Sequence, residues 1–194
     1  MTLNRDLFGK TRIWNLTPDK LTMSQERFEE WKQNVFEYQQ KASRNEHQLT
    51  ETIQIAPKQL SLFDTPASHC DPNEIDPFGL PLKPSQFYRQ PEVGNKVCIY
   101  MIVDISMPIL LYVGETKQTA KERWADHDCK DYILNYKELH RRHKMKSLVN
   151  SCFWYNTPND RKARQKLELE LINKWRSPFN KENWQYWGDR FKSH

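Results

Sequence analysis

In this 194-residue chain Glu168 lies within an amphipathic helical pattern, and Arg123 and His127 stand four residues apart in another. A carboxylate, a guanidinium and an imidazole of this kind suit the hydrolysis of a phosphodiester. That reaction needs an activated water, a cation facing the developing charge and help for the leaving oxygen. Glu168 can serve as a single hard oxygen ligand for Mg²⁺ or Mn²⁺, with water and phosphate oxygens in the remaining positions. Glu170 falls on roughly the opposite side of the helix and is the poorer candidate, so one metal ion is expected. Arg123 offers a planar fork to phosphate oxygens and to the pentacovalent transition state. His127 shares a helix face with it and can orient water or phosphate.

These residues must be held by a scaffold, and the pattern around them supplies one. Val97 to Val103 is a short apolar run suited to a buried strand, and Ile109 to Gly114 is a second, with a turn at Asp104 to Pro108 between them. Thr119-Ala120-Lys121-Glu122 reads as a capping box opening the helix that carries Arg123 and His127. A basic helical stretch follows, then a third strand over Ser147 to Asn156. Thr157-Pro158 reads as a cap and first-turn proline of a helix ending near Trp175. The expected fold is α/β (α+β): a small three-stranded antiparallel sheet flanked by helices, closed by an irregular aromatic tail.

Ahead of this unit two segments differ in kind. Phe28, Trp31, Val35 and Tyr38 recur at helical steps between Thr22 and Ser43, with Thr22 and Gln25 as a capping box. This N-terminal helix is expected to dock on the main domain or on a partner. Six of the eleven prolines, Pro57 to Pro84, then interrupt the chain and mark an extended linker. The division is residues 1–43 for the helical segment, 44–87 for the linker and 88–194 for the main domain.

Cys98-Ile99-Tyr100 on one strand and Tyr112-Val113-Gly114 on the next resemble the paired tripeptides of the GIY-YIG nucleases. The likeness extends in order through Arg123-Trp124 and His127, Leu167-Glu168 with Leu171-Ile172, and Pro178-Phe179-Asn180, over roughly residues 95 to 185. Cys98 replaces the first glycine, Val113 replaces an isoleucine, and Glu115 stands where some members carry lysine. The resemblance implies a metal-dependent DNA endonuclease with Tyr100, Tyr112, Arg123, His127, Glu168 and Asn180 in its active site. It makes Tyr112 the general base, assisted by Tyr100, and Asn180 the residue that fixes the loop after the last helix. An ordinary phenol has a pKa of about 10, so positive charge must stabilise the phenolate. Taken singly, the tyrosines are ordinary strand residues and Arg123 and Glu168 an ordinary surface pair. Their joint order is what carries the reading.

Charge and composition favour a polyanionic partner. Residues 1–90 hold 11 Lys/Arg and 12 Asp/Glu, a balance of −1, whereas residues 91–194 hold 19 and 13, a balance of +6. Lys137, Arg141, Arg142, Lys144 and Lys146, with His140 and His143 among them, form a stretch suited to duplex DNA. A solvated helix face is its bland alternative. Trp154, Tyr155, Trp184, Tyr186 and Trp187 suit base stacking, although a core role is the commoner use of such residues. In the linker, Gln59-Leu60-Ser61-Leu62-Phe63 resembles the short peptide by which bacterial repair proteins bind the DNA polymerase sliding clamp, with Leu62 and Phe63 as anchors.

No run approaches the roughly 20 apolar residues of a membrane helix, and no apolar core of a secretory signal follows the first basic residue. Four dispersed cysteines give no zinc framework and are expected to be free thiols. The expected setting is cytoplasmic and nucleoid-associated, in repair, recombination or replication-coupled processing. Two other functions fit the same features: a restriction-type endonuclease, and a non-catalytic adaptor for DNA or the clamp.

Overall fold

The computed structural model of the protein describes residues 23–44, 70–84, 97–116, 129–189 and 191. Helix α1 spans Gln25–Ser43. Its N-cap is Ser24, whose hydroxyl accepts from the Arg27 amide, while Gln25 bonds forward to Glu29. The cap therefore lies two residues beyond the expected Thr22, because a serine next to the first turn satisfies an orphan amide directly. Phe28, Trp31, Val35 and Ala42 form the buried face of this helix.

Strands β1 (Lys83–Pro84), β2 (Cys98–Asp104), β3 (Ile109–Thr116) and β4 (Val149–Trp154) form one sheet in the order β1-β4-β2-β3. The sheet thus has four strands, where three were expected. The added strand, two residues long, comes from the proline-rich stretch and pairs antiparallel with Asn150 and Ser151. Proline is tolerated there because the strand lies at an edge. Helix α2 spans Cys129–Arg142, α3 spans Arg161–Trp175 and a short α4 spans Trp184–Trp187. Asp160, whose carboxylate accepts from the Ala163 amide at 2.8 Å, caps α3 in place of the expected Thr157-Pro158.

Both faces of the sheet are covered, which explains why every residue of β2 is buried. Cys98, Tyr100 and Ile102 face Phe28 and Trp31 of α1, Tyr132 and Tyr136 of α2, and Phe179 and Phe191. Ile99, Met101 and Val103 face Leu167, Leu171, Ile172 and Trp175 of α3, together with Ile75. The N-terminal helix is accordingly part of the central core. The four cysteines are free, and burial pushes the thiols of Cys98 and Cys152 up to about 12.

Helix α1 also inserts a charge. Lys32, 4% exposed, lies 2.8 Å from His140 Nε2 and 3.9 Å from Asp104, both buried. His140 Nδ1 donates to the Tyr136 carbonyl, so Nε2 is left to accept from Lys32 and the ring is neutral. Burial holds the His140 pKa below its ordinary 6.5; the Lys32 charge adds to this, against the Tyr136 carbonyl and Asp104. For Asp104 burial works upward, but donors from Ser106, Leu148 and Tyr136 outweigh it and hold the carboxyl below the usual range.

Both shifts make the folded state bind fewer protons than the unfolded chain, so both contributions fade as pH falls. The His140 contribution is whole above 6.5 and declines below it; that of Asp104 declines below 3.8. Thermal unfolding followed against pH is expected to show a midpoint that drops below pH 6.5 in the parent. His140→Gln is expected to start lower and to lose the drop between 6.5 and 4.5, the value below which Glu138 adds a decline of its own.

Candidate active site on the free edge of the sheet

Among the described residues strand β3 closes one side of the sheet and pairs only with β2, so half of its backbone groups face away from any described strand. Such an edge must be satisfied or covered. Here side chains from three different elements do so. The Gln39 amide of α1 donates to the Leu110 carbonyl at 2.9 Å and accepts from the Leu110 amide at 2.7 Å. The Phe179 amide donates to the Leu111 carbonyl at 2.9 Å. Asn180 accepts from the Val113 amide at 3.0 Å and donates to its carbonyl at 2.9 Å. Two residues on, the Glu115 amide donates to Glu168 Oε1 at 3.0 Å.

The last of these fixes one candidate ligand. Glu168 is half-buried on α3, and its carboxylate also bears on the Tyr112 phenol. Arg164, one helical turn earlier and 2% exposed, donates from Nε to Glu115 Oε2 at 2.8 Å and from Nη1 to the carbonyls of Pro158 and Asn159. The acidic residue at position 115 is thereby matched by a buried arginine on the facing helix. Its carboxylate is engaged by Arg164, whereas Glu168, with one oxygen on the Glu115 amide, is the candidate ligand of the two. Among the described residues no group of three or more His, Cys, Asp and Glu is arranged to hold one. A single carboxylate fits a hard cation that keeps most of its water.

Tyr100 and Tyr112 lie side by side, with ring centroids 5.8 Å apart. A register shift between Ile102 and Val103 produces this arrangement: it puts Leu111 and Tyr112, consecutive in sequence, on one face. Tyr100 is directly opposite Gly114, and its ring lies where a side chain on that residue would stand. Only glycine leaves the space. Burial, then the nearness of Tyr100 and Cys129, a hydrogen bond with Tyr100 and the Glu168 charge hold the Tyr112 phenol far above its ordinary pKa of 10.0.

Residues 96–183 match the family model of the GIY-YIG catalytic domain. The matched span is somewhat under half of the chain and supports that superfamily, whose members are nucleases. No curated protein and no solved structure matches. Tyr100, Tyr112, Glu168 and Asn180 all fall in the GIY-YIG span, and they gather at the edge of β3. Arg123 and His127 also fall in it but lie outside the described residues, as does the peptide Gln59 to Phe63.

The basic stretch is less positive than its composition suggests. Glu138 accepts from Arg141 at 2.7 and 2.8 Å and from Arg142 at 3.0 Å, and those bonds pull its own pKa down to about 2. Lys137 is partly buried, which holds its pKa below the ordinary value, and His140 belongs to the core. Lys144 and Lys146 are exposed. The tail aromatics divide: Trp184 and Trp187 pack on the core, while Tyr155 and Tyr186 are exposed. Sequence reasoning missed Gln39 and Arg164. An amide on the apolar face of α1 and an arginine one turn before Glu168 were the available signals.

Asn180→Ala removes two hydrogen bonds to the buried Val113 backbone of β3. Its expected cost is on the order of 2–6 kcal/mol, read by urea unfolding, since each of the two orphaned groups costs roughly 1–3 kcal/mol. Asn180→Asp keeps the acceptor for the Val113 amide but loses the donor, and is expected to fall between.

Proposed function

We propose that the protein is a metal-dependent DNA endonuclease acting in repair, recombination or replication-coupled processing. The reading is carried by one observation: the Glu168 carboxylate is bonded to the Glu115 amide at the edge of β3, near enough to Tyr112 for its charge to act on the phenol, inside the span that matches the GIY-YIG catalytic domain. Glu168 is the residue that would hold Mg²⁺ or Mn²⁺ and, when bound, that ion would withdraw charge from the phosphate and favour the Tyr112 phenolate. The Glu115 amide keeps the Glu168 carboxylate aimed, and Arg164 holds the Glu115 side chain. Asn180 fixes the strand beneath Tyr112.

The catalytic roles are those that the family resemblance implies. Tyr112 accepts the proton of the attacking water, and Tyr100 orients its phenol. Arg123 pairs with the phosphate oxygens and His127 orients water or phosphate. Because burial holds the phenol neutral, Tyr112 works as a base only with positive charge beside it, a part assigned to Arg123 together with the metal ion. The exposed Lys144 and Lys146, with Lys137, Arg141 and Arg142, supply phosphate contacts along the duplex.

The test is cleavage of a panel of plasmid, flap, fork, mismatch and four-way-junction DNA with Mg²⁺ or Mn²⁺. Cleavage is expected in the parent on at least one substrate, with Glu168→Ala and Tyr112→Phe each losing at least about 100-fold, a loss typical of removing one catalytic group. DNA binding without cleavage on every substrate would instead favour the adaptor reading.

We further propose that Gln59-Leu60-Ser61-Leu62-Phe63 docks on the DNA polymerase sliding clamp and brings the nuclease to DNA in the nucleoid. Leu62 and Phe63 would fill an apolar pocket while Gln59 makes the polar contact. In a binding titration with a bacterial clamp, the parent is expected to bind and the double change Leu62→Ala, Phe63→Ala to abolish binding. Equal affinities would remove the peptide from consideration.

A further inference from the structure

The residue that ends α3 is an arginine in the left-handed conformation, Arg176, at φ 43° and ψ 48°. Glycine or asparagine normally takes that place, because a Cβ there costs roughly 1 kcal/mol. The side chain is held in an unusual way. Its guanidinium carbon lies 4.5 Å from the centroid of the Tyr38 ring, on α1, and 4.0 Å from that of Tyr186, on α4. Two phenol rings thus grip one guanidinium. Aromatic faces take the faces of the cation and leave its N–H edge to solvent. Among the described residues no carboxylate pairs with Arg176 and no acceptor receives its N–H groups, whereas Arg141, Arg142 and Arg164 each have a glutamate. Tyr186 itself is 48% exposed, so the sandwich opens at the surface.

From this geometry we infer a phosphate-binding site at Arg176, built by α1, α3 and α4 together, that takes a backbone phosphodiester of the DNA. A guanidinium held between two rings has already lost most of its rotamer freedom, so a bidentate acceptor is met at small entropic cost. Phosphate is the acceptor favoured by the +6 balance of residues 91–194. Its position ties it to the candidate active site. Arg176 is followed at once by the turn in which Ser177 donates to Asn180, and that turn is hydrogen-bonded to Leu111 and Val113 on either side of Tyr112. Arg176 lies eight residues beyond Glu168, about 12 Å along the helix axis at 1.5 Å per residue. A contact at that spacing holds the duplex several nucleotides from the bond to be cut, and it gives α1 a part in recognition through Tyr38. The inference rests on the nuclease reading for the identity of the ligand, and not for the geometry.

The experiment compares the full chain with Arg176→Gln, Arg176→Lys and Tyr186→Leu, measuring DNA affinity in chelator over a salt series. Arg176→Gln is expected to weaken binding about tenfold and to reduce the slope of log affinity against log salt by about 1, as for one lost phosphate contact. Arg176→Lys keeps the charge and the slope but loses the planar fork, and is expected to weaken binding less. Tyr186→Leu, a surface change that leaves net charge alone, is expected to weaken binding at an unaltered melting temperature. Affinities and slopes equal to the parent's, with only a lowered melting temperature, would reduce the sandwich to a staple between helices and overturn the inference. So would a parent that fails to bind DNA. Parallel cleavage assays separate the two readings. Cleavage by the parent with no effect of Arg176 on binding rejects the site alone; Arg176-dependent binding without cleavage rejects the nuclease alone.

Discussion

The free edge of β3 organises this molecule. A strand that pairs on one side only presents amides and carbonyls that cannot be left dry without cost. Leu110, Leu111, Val113 and Glu115 present such groups in succession, and Gln39, the Phe179 backbone, Asn180 and Glu168 answer them in the same order along the strand. Helix α1, the turn after α3 and α3 itself are therefore all indexed to one strand, the one that carries Tyr112. Glu168, the candidate metal ligand, is thus also part of the seal on that edge. In the proposed nuclease, stability and chemistry would share the same hydrogen bonds.

Two buried ionic groups brace opposite ends of the β2–β3 hairpin. At one end Arg164 and Glu115 join α3 to β3; at the other Lys32 and His140 meet Asp104 and join α1 and α2 to β2. Buried pairs of this kind add little net stability, yet losing one partner strands a charge and costs about 3–5 kcal/mol. Their value here lies in fixing which helix sits where. The Glu138 cluster on α2 is different in kind: with Arg141 74% exposed in its side chain, its bonds are screened and it mainly lowers the positive charge of that face.

Much of the fold was legible in order. The strand runs, the hairpin turn and the helical periodicity around Phe28 and Leu167 each reflect local rules, a repeat of two or of about 3.6 residues, which survive in any context. The terminal positions of the helices were less legible. Ser24 and Asp160 displaced the expected caps because several polar residues near a helix start compete for the same orphan amides, and the winner depends on where packing stops the turn. The short strand at Lys83–Pro84 was hidden because proline argues against a strand, and only the neighbouring backbone of β4 makes one.

The sequence alone determined that Tyr100, Tyr112, Glu168 and Asn180 stand in a recognisable order, since residue identity and spacing are properties of the chain. It also placed Gly114, though not the reason for it, which is the ring of Tyr100 lying across the pair of strands. Folding decided the rest. The bulge that turns Tyr112 onto the face of Tyr100, the Arg164 that answers Glu115, the Gln39 that seals the edge and the two tyrosines that grip Arg176 bring together residues from distant parts of the chain. No local pattern encodes such partners. A hydrogen bond or ring contact between residues on different elements leaves no period in the sequence, and exists only because the sheet and its helices have been packed against one another.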